Sequence, residues 1–346
     1  MIQLDQPLWG DVSVFILAAM VIGFSGVKLA EYADRLADRT GLGEAVTGTI
    51  MLGLITALPG LAASVTAALQ GHAVLALSNA MGGIAFQTMI LALADLMYRN
   101  ANLEHAAASA TTMMQTIMLI LLISIVLLGL SSPDVVVGPV HPATLLLLGG
   151  AVLAFWLTYR VKEQPMWHPR HTAETVTDKP AEGSQHERLW LLWTGLLISG
   201  LLTLISGSLV AETAANIQEK TALSASLVGG FLMAGATSLP ELVTCLAAVK
   251  RGALTLAVSD VVGGNFFDVL FIAAADFFFL SGSLYHATGV GMREIFLISI
   301  TLLLNVILLS GLIYRQKHGP ANIGFESLLM LTLYLCGFVI LSYMSS

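Results

Sequence analysis

Charge is what this chain has least of: Asp, Glu, Lys and Arg together make up 11% of its 346 residues. A soluble domain carries roughly 25%, because its surface must face water. With 56% apolar residues and a mean hydropathy of +0.84, a water-facing globule is excluded and lipid is left as the surroundings. Cysteine is nearly absent. Cys245 and Cys336 both fall inside apolar runs, which argues against a disulfide framework or a thiolate metal site. Catalytic signatures are missing too: there is no GxSxG, Walker A or CxxC, and the eight histidines show no HExxH spacing. With no nucleophile–base constellation, an enzyme is not expected, nor a cofactor or a nucleic-acid partner. Met1 to Asp11 holds two aspartates and no Lys or Arg, so it lacks the basic start of a signal peptide. The first apolar run is therefore expected to be kept as a helix.

What the chain has in abundance is long apolar runs and 32 glycines. Small residues let membrane helices approach closely where no hydrophobic drive separates them from lipid. A bilayer core takes roughly 20 apolar residues per helix. Runs of that length lie near 12–30, 44–69, 73–98, 107–130 and 142–161, and again near 189–211, 223–249, 253–280, 290–314 and 323–344. The fold class expected is an all-α membrane protein of about ten transmembrane helices. Residues 162–188 contain three prolines and no apolar periodicity, and read as an exposed linker between a first half, 1–161, and a second, 189–346. Lys and Arg set the orientation. With the N-terminus outside, the inner loops hold twelve of them, from Arg35 and Arg39 to Arg315 and Lys317, and the outer loops only Lys220 and Arg293. Both termini are then outside and the linker is cytoplasmic.

Sliding residues 25–95 onto 206–276, an offset of 181, aligns them without a gap. Ser25-Gly26 meets Ser206-Gly207, and Ala30-Glu31 meets Ala211-Glu212. Thr56-Ala57-Leu58-Pro59 meets Thr237-Ser238-Leu239-Pro240. Gly71 meets Gly252, Gly82-Gly83 meets Gly263-Gly264, Phe86 meets Phe267, and Asp95 meets Asp276. Each half has five runs, an odd number, so the second half enters the membrane the opposite way. Inverted repeats of this kind are a transporter architecture, with the substrate bound near the midplane where the repeats meet.

Several polar residues lie at membrane depth. Pro59 and Pro240 stand mid-run at matched positions; each removes a backbone hydrogen bond and breaks the turn before it. The freed carbonyls need another partner, because lipid offers none. Glu241 follows Pro240, and Asp268 lies midway along the next run. A charge at that depth costs at least roughly 2.5–3.5 kcal/mol, so it usually faces a cavity or an ion, the alternative being a neutral acid hydrogen-bonded within the bundle. Two such carboxylates are hard, anionic ligands of the sort that suit Ca2+, and Thr237, Ser238 and Asn265 add neutral oxygens. The pair balances one divalent cation, two monovalent cations or two protons. Asp260, Glu31/Glu212 and Asp95/Asp276 lie nearer run ends, where an access path and a capping role are both open; for the matched pairs, repetition points to fold geometry rather than ion contact.

The segment from Gly235 to Phe271, with its TSLPEL and GGNFFD blocks, resembles the second α-repeat of the cation/Ca2+ exchanger superfamily, and sodium/calcium exchangers in particular. Residues 56–87 look like a degenerate first α-repeat. The resemblance implies a cation bound by a glutamate after each proline, helped by Thr, Ser and Asn or Asp side chains. Carried over position by position, it assigns Thr237, Ser238, Glu241 and Asp268 in the second repeat and Thr56 in the first. It also marks losses. The first glutamate position is Gly60, its neighbouring serine position is Ala57, and the position opposite Asp268 is Gln87. The serines of the two glycine-rich blocks are Gly83 and Gly264. Water, Gln87 or the carbonyls of Gly53 and Ala234 would have to make up the ligand set.

The function expected is a secondary cation antiporter exchanging Ca2+ for Na+ or H+ by alternating access, with the lipid bilayer and inorganic cations as its partners. A prokaryotic plasma membrane is the expected location. Two alternatives stay open: a monovalent cation/proton exchanger, and a non-transporting homologue with a degraded site.

Overall fold

A computed structural model describes residues 7–40, 53–98, 101–107, 109–170, 188–319 and 323–344. Every regular element among them is helical, apart from one isolated bridge between Val137 and Val140. Twelve helices are named here in chain order: α1 Leu8–Thr40, α2 Leu58–Leu69, α3 Ala73–Met97, α4 Leu103–Ala106, α5 Ala110–Ser131, α6 Pro142–Glu163, α7 Leu189–Lys220, α8 Ala225–Thr237, α9 Leu239–Lys250, α10 Leu254–Phe278, α11 Met292–Tyr314 and α12 Phe325–Tyr343. Eight of these are long and apolar enough to cross a bilayer, and nine spans result if α8 and α9, bent by 50° at Ser238, count as one. The tenth run, 44–69, is described only from residue 53 onward. There, residues 53–56 are helical and α2 is a shorter apolar helix. Most of the linker, 171–187, likewise lies outside the described residues.

Burial sorts the helices into centre and rim. In both α3 and α10, 78% of the apolar window is buried, against 28% in α1 and 22% in α7. A helix that is apolar all round belongs in the middle of a bundle, and α3 and α10 are of that kind. They pack against each other and against α2 and α9. α1 and α7 lie outside them, side by side and antiparallel, and at 33 and 32 residues each reaches about 50 Å, so a bilayer core of about 30 Å requires them to tilt. Their seam is polar as well as apolar: Ser25 Oγ and Thr203 Oγ1 are 2.9 Å apart, and the buried Asp11 carboxylate receives Lys220 Nζ at 2.6 Å and Asn216 Nδ2 at 3.0 Å. Exposed Trp9, Trp167, Trp190 and Trp193 fall at or beside helix ends, where amphipathic rings favour the lipid–water boundary.

Glycine is needed where backbones meet. A Cβ on Gly82 would fall 2.1 Å from the Gly230 carbonyl oxygen, so α3 and α8 touch main chain to main chain. Gly26 of α1 faces the ring of Pro240, and Gly207 of α7 faces the carbonyl of Pro59. The rim pair is thus seated on the two broken helices. Two tight turns recur at the offset of 181. After α2, Gly71 (φ 84°) donates to Ala68 O and His72 to Ala67 O. After α9, Gly252 (φ 77°) donates to Val249 O and Ala253 to Ala248 O. This is the Schellman arrangement, whose left-handed residue is glycine because a Cβ would clash there.

Contacts between loops group the helix ends. At one end lie the Asp11–Lys220 pair, His141 N on Asp276 (2.8 Å), His286 Nε2 on Ser132 O (2.7 Å), Ser226 on Glu294, and Arg293 Nε on Met344 O (2.9 Å). At the other, Asp95 receives Leu103 N (2.7 Å) and Gly324 N (3.1 Å), Asn102 Nδ2 donates to Gln316 O (2.8 Å), and Arg315 Nη1 to Arg170 O (2.6 Å). Asp95 and Asp276 do the same work at opposite ends: each accepts the backbone N–H eight residues on, from Leu103 and from Leu284. Asp95 and Asp276 are therefore loop anchors.

Candidate cation site

Pro59 and Pro240 open the two helices that frame the centre of the bundle. Each proline stands at the start of a helix, α2 or α9, where its missing N–H costs nothing, but it leaves the carbonyl four residues back without the usual amide partner. The turn before each break is closed the same way in both halves. Thr56 Oγ1 donates to Gly53 O at 3.2 Å, and Thr237 Oγ1 donates to Ala234 O at 3.2 Å. Upstream of the second break, residues Val228–Met233 form a π-helical stretch, a local widening often found beside functional sites.

Five of the expected residues come together around the second break. Gln87 Nε2 donates to Asp268 Oδ2 at 2.7 Å and reaches Ser238 Oγ at 3.3 Å. Glu241 is in hydrogen-bond contact with Thr56, and a Cβ on Gly264 would touch both Gln87 Oε1, at 3.1 Å, and Glu241 Cγ, at 4.0 Å. Glu241, Asp268, Ser238, Gln87 and Thr56 are each no more than 3% exposed. Acceptor capacity is left over: Glu241 Oε2, Gln87 Oε1 and Asn265 Oδ1 are buried and receive no hydrogen bond. Buried acceptors are nearly always satisfied, so unused oxygens on Glu241 and Gln87 make this place a candidate for a cation. Among the described residues, no three His, Cys, Asp or Glu side chains converge to hold a metal. A cation here would be held by two carboxylates and neutral oxygens.

The other two expected residues are placed on the flanks. Asn265 donates to Thr88 Oγ1 at 3.1 Å. Thr237 Oγ1 lies 3.4 Å from Asn79 Oδ1, and Asn79 Nδ2 bonds Gly60 O (3.2 Å) and Ser64 Oγ (2.9 Å). Asp260, a turn or two toward the loop end, accepts from Thr244 Oγ1 at 3.3 Å.

The glycines at the lost ligand positions differ in what surrounds them. A Cβ on Gly83 would lie 3.2 Å from Asp268 Oδ2, and one on Gly264 would lie 3.1 Å from Gln87 Oε1. Both glycines therefore line the site itself. Gly60 does not. A Cβ there would fall 2.6 Å from Cε2 of Phe271, so the ring fills the volume that a first-repeat side chain would occupy. Phe271, Asn79 and Thr88 were missed by sequence reasoning. Asn79 had a signal, as the repeat partner of Asp260. Phe271 had none, because its role lies in a partner across the bundle.

A helical bundle with two broken helices and two buried acids at its centre is the framework of an ion-exchange membrane protein. The family described as sodium/calcium exchanger protein matches residues 11–161 and 191–344, and the chain belongs to that family. Among curated relatives, it is 25% identical over 264 residues to “Putative antiporter CaxA” of Alkalimonas amylolytica, covering 75% of this chain and 77% of that one. It is 24% identical over 261 residues to the inner membrane protein YrbG of Escherichia coli K12, with the same coverage. Among solved structures, the H+/Ca2+ exchanger CAX superposes with a TM-score of 0.69 at 12% identity, over 97% of this chain and 86% of that one. The sodium–calcium exchanger NCX_Mj, soaked with Na+ and Sr2+, superposes with a TM-score of 0.61 at 19% identity, over 96% and 99%. At those identities the likeness is one of fold.

Proposed function

We propose that this protein is a secondary antiporter that exchanges Ca2+ for Na+ or H+ at one site formed by Glu241 and Asp268. The observation that carries the reading is the pair of buried carboxylates with unsatisfied acceptors around them. Two negative charges are balanced by one Ca2+, two Na+ or two protons, so a single site couples the fluxes by competition. Gln87 would follow the occupant: its amide N–H bonds Asp268, and a half-turn of the carboxamide would offer the oxygen to a cation instead. Ser238, Thr56 and the backbone at Gly83 and Gly264 would complete the shell, with Thr237 and Asn265 holding its flanks.

Alternating access is read as motion of α1 and α7 over the broken helices. Their glycines at Gly26 and Gly207 give close contact with Pro240 and Pro59, and the Ser25–Thr203 and Asp11–Lys220 bonds between α1 and α7 tie the two into one moving unit. The two halves, 1–161 and 189–346, are read as inverted five-helix repeats. The recurrence of the Schellman turns and of the Asp95 and Asp276 anchors at one offset supports this. The linker 162–188 and the Lys/Arg-rich loops face the cytoplasm, and both termini lie outside, in a plasma membrane.

Within this reading, H+ is the coupling ion better suited to the site. Phe271 takes the place of a third carboxylate at Gly60, and a site with two acids and few hydroxyls suits protons better than several hydrated Na+. The test is radiolabelled Ca2+ uptake into proteoliposomes under an outward Na+ gradient or an outward H+ gradient. Uptake driven by H+ alone supports proton coupling, and uptake driven by Na+ alone overturns it. No Ca2+ flux under either gradient would turn the reading to monovalent cation exchange or to a homologue that no longer transports.

A further inference from the structure

At the opposite end of α3 from its start, and outside the cation site, two more acids are buried. Glu104 of α4 and Glu326 in the first turn of α12 are each 0% exposed. None of their four carboxyl oxygens receives a hydrogen bond from a donor of the protein. Asp95 accepts from Leu103 N and Gly324 N and so sets the two side chains next to each other, and two acids that meet with no other donor do so by sharing a proton. The place is built for the contact. Glu326 folds over Gly311, where a Cβ would come within 2.7 Å of its Cγ, and over Gly324, where one would come within 2.3 Å of its Oε1.

Among the described residues, the surroundings supply negative charge and no cation is bonded to either carboxyl; Lys317, in the same connection as Arg315, lends its carbonyl to Asn102 N. Asp95 of α3 faces the pair and spends both oxygens on the backbone N–H groups of Leu103 and Gly324, the residues that lead into Glu104 and Glu326. Arg315, in the connection between α11 and α12, turns its guanidinium to the carbonyls of His105 and Arg170, and His105 Nδ1 bonds the carbonyl of Arg315. α11 carries its charges, Arg293 and Glu294, at the far end. On α10, Asp260 bonds Thr244, Asp268 is in the cation site and Asp276 anchors the far end.

We propose that Glu104 and Glu326 form a proton-binding site separate from the transport site, in which one proton held between two carboxyls fastens the connection after α3 to the start of α12. The equilibrium is simple: the proton leaves to water, and two carboxylates remain facing each other beside Asp95. Buried side by side next to Asp95, they repel, and the fastening opens. Burial first, and then the charges of Glu326 and Asp95, push the Glu104 carboxyl well above the ordinary carboxylate range. For an acid so raised, the closed form binds more protons than the open one, so it is favoured at low pH and lost as pH rises through the raised value. Asp95 and Gln87 are eight residues apart on α3, about 12 Å along the helix. The fastening therefore holds one end of a helix that carries a cation-site residue, and by the Lys/Arg bias that end faces the cytoplasm.

The test is amide hydrogen exchange by mass spectrometry on the full chain in lipid nanodiscs, from about pH 6 to about pH 9, corrected for the intrinsic chemical rate. Peptides covering 101–107 and 323–330 are followed, with 110–131 as the reference. In the wild type, protection of both peptides should fall by about tenfold or more as pH rises, while the reference stays level. In Glu104→Gln and in Glu326→Gln, an amide N–H replaces the shared proton at every pH, so protection should stay high and level. Wild-type protection that is independent of pH overturns the proposal. So does a wild-type profile that persists unchanged in both variants. The wild-type titration decides the first point even if one variant fails to fold.

Discussion

Gln87 donates to Asp268 while its own carbonyl oxygen accepts nothing, and Glu241 likewise keeps one oxygen unused. These atoms decide what the site can hold, and single substitutions test them. Removing one of two carboxylates from a divalent site, by Asp268→Asn, should weaken Ca2+ binding by roughly 100-fold, about 2.8 kcal/mol. Calorimetric titration in detergent would read this, and affinity within threefold of wild type would argue that Asp268 is not a ligand. Gly60→Glu should not restore a family-like site, because Phe271 occupies the space. Overpacking of this kind costs roughly 1–3 kcal/mol. The expected result is a lowered melting temperature, recovered when Phe271→Ala is added, with thermal unfolding as the measurement. The positions of Glu241 and Asp268 beside one another were legible in the sequence, since the cost of an acid at membrane depth leaves few places for it to go. What surrounds Gly60 was not legible. A glycine at a ligand position reads as a loss, and only the fold shows that an aromatic ring from α10 has taken its volume.

Elements repeat more faithfully than site residues do. The turns at Gly71 and Gly252 have nearly the same φ and the same pair of backbone bonds, although the helices around them carry different acids. A positive φ forces glycine whatever the function, so Gly71→Ala and Gly252→Ala should each destabilise by about 1 kcal/mol without changing ion selectivity. Gly82→Ala should cost more, because a backbone carbonyl stands where the methyl would go and cannot swing aside. Chemical denaturation in detergent would rank the three, and an ordering with Gly82→Ala mildest would contradict the packing described. The runs and the breaks at Pro59 and Pro240 could be read from spacing, and the matched Asp95 and Asp276 could be read as fold geometry, but not as loop anchors. The π-helical stretch at Val228–Met233 and the Glu104–Glu326 contact could not be read from it. No periodicity marks the first, and the second joins residues far apart in the chain.

Across the whole molecule, twelve Lys and Arg lie in one set of loops against two in the other, and the proposed sidedness follows from that bias. Loop contacts agree in grouping the ends, with Arg170 and Arg315 together at one and Asp11 with Lys220 at the other. A chain with Cys245→Ala, Cys336→Ala and a single cysteine from Gln185→Cys in the linker should react with a membrane-impermeant maleimide in inside-out vesicles and not in right-side-out ones. Labelling in the reverse pattern would invert the orientation and move the Glu104–Glu326 site to the outer face. None of this would disturb the central claim, which is that one pair of buried acids carries the exchanged cation. The measurement that bears on it most directly is gradient-driven uptake of radiolabelled Ca2+ into proteoliposomes by wild type and by Glu241→Gln at matched protein density. The account predicts uptake by the wild type that falls to the level of empty liposomes in the variant. Uptake that survives the substitution would contradict it.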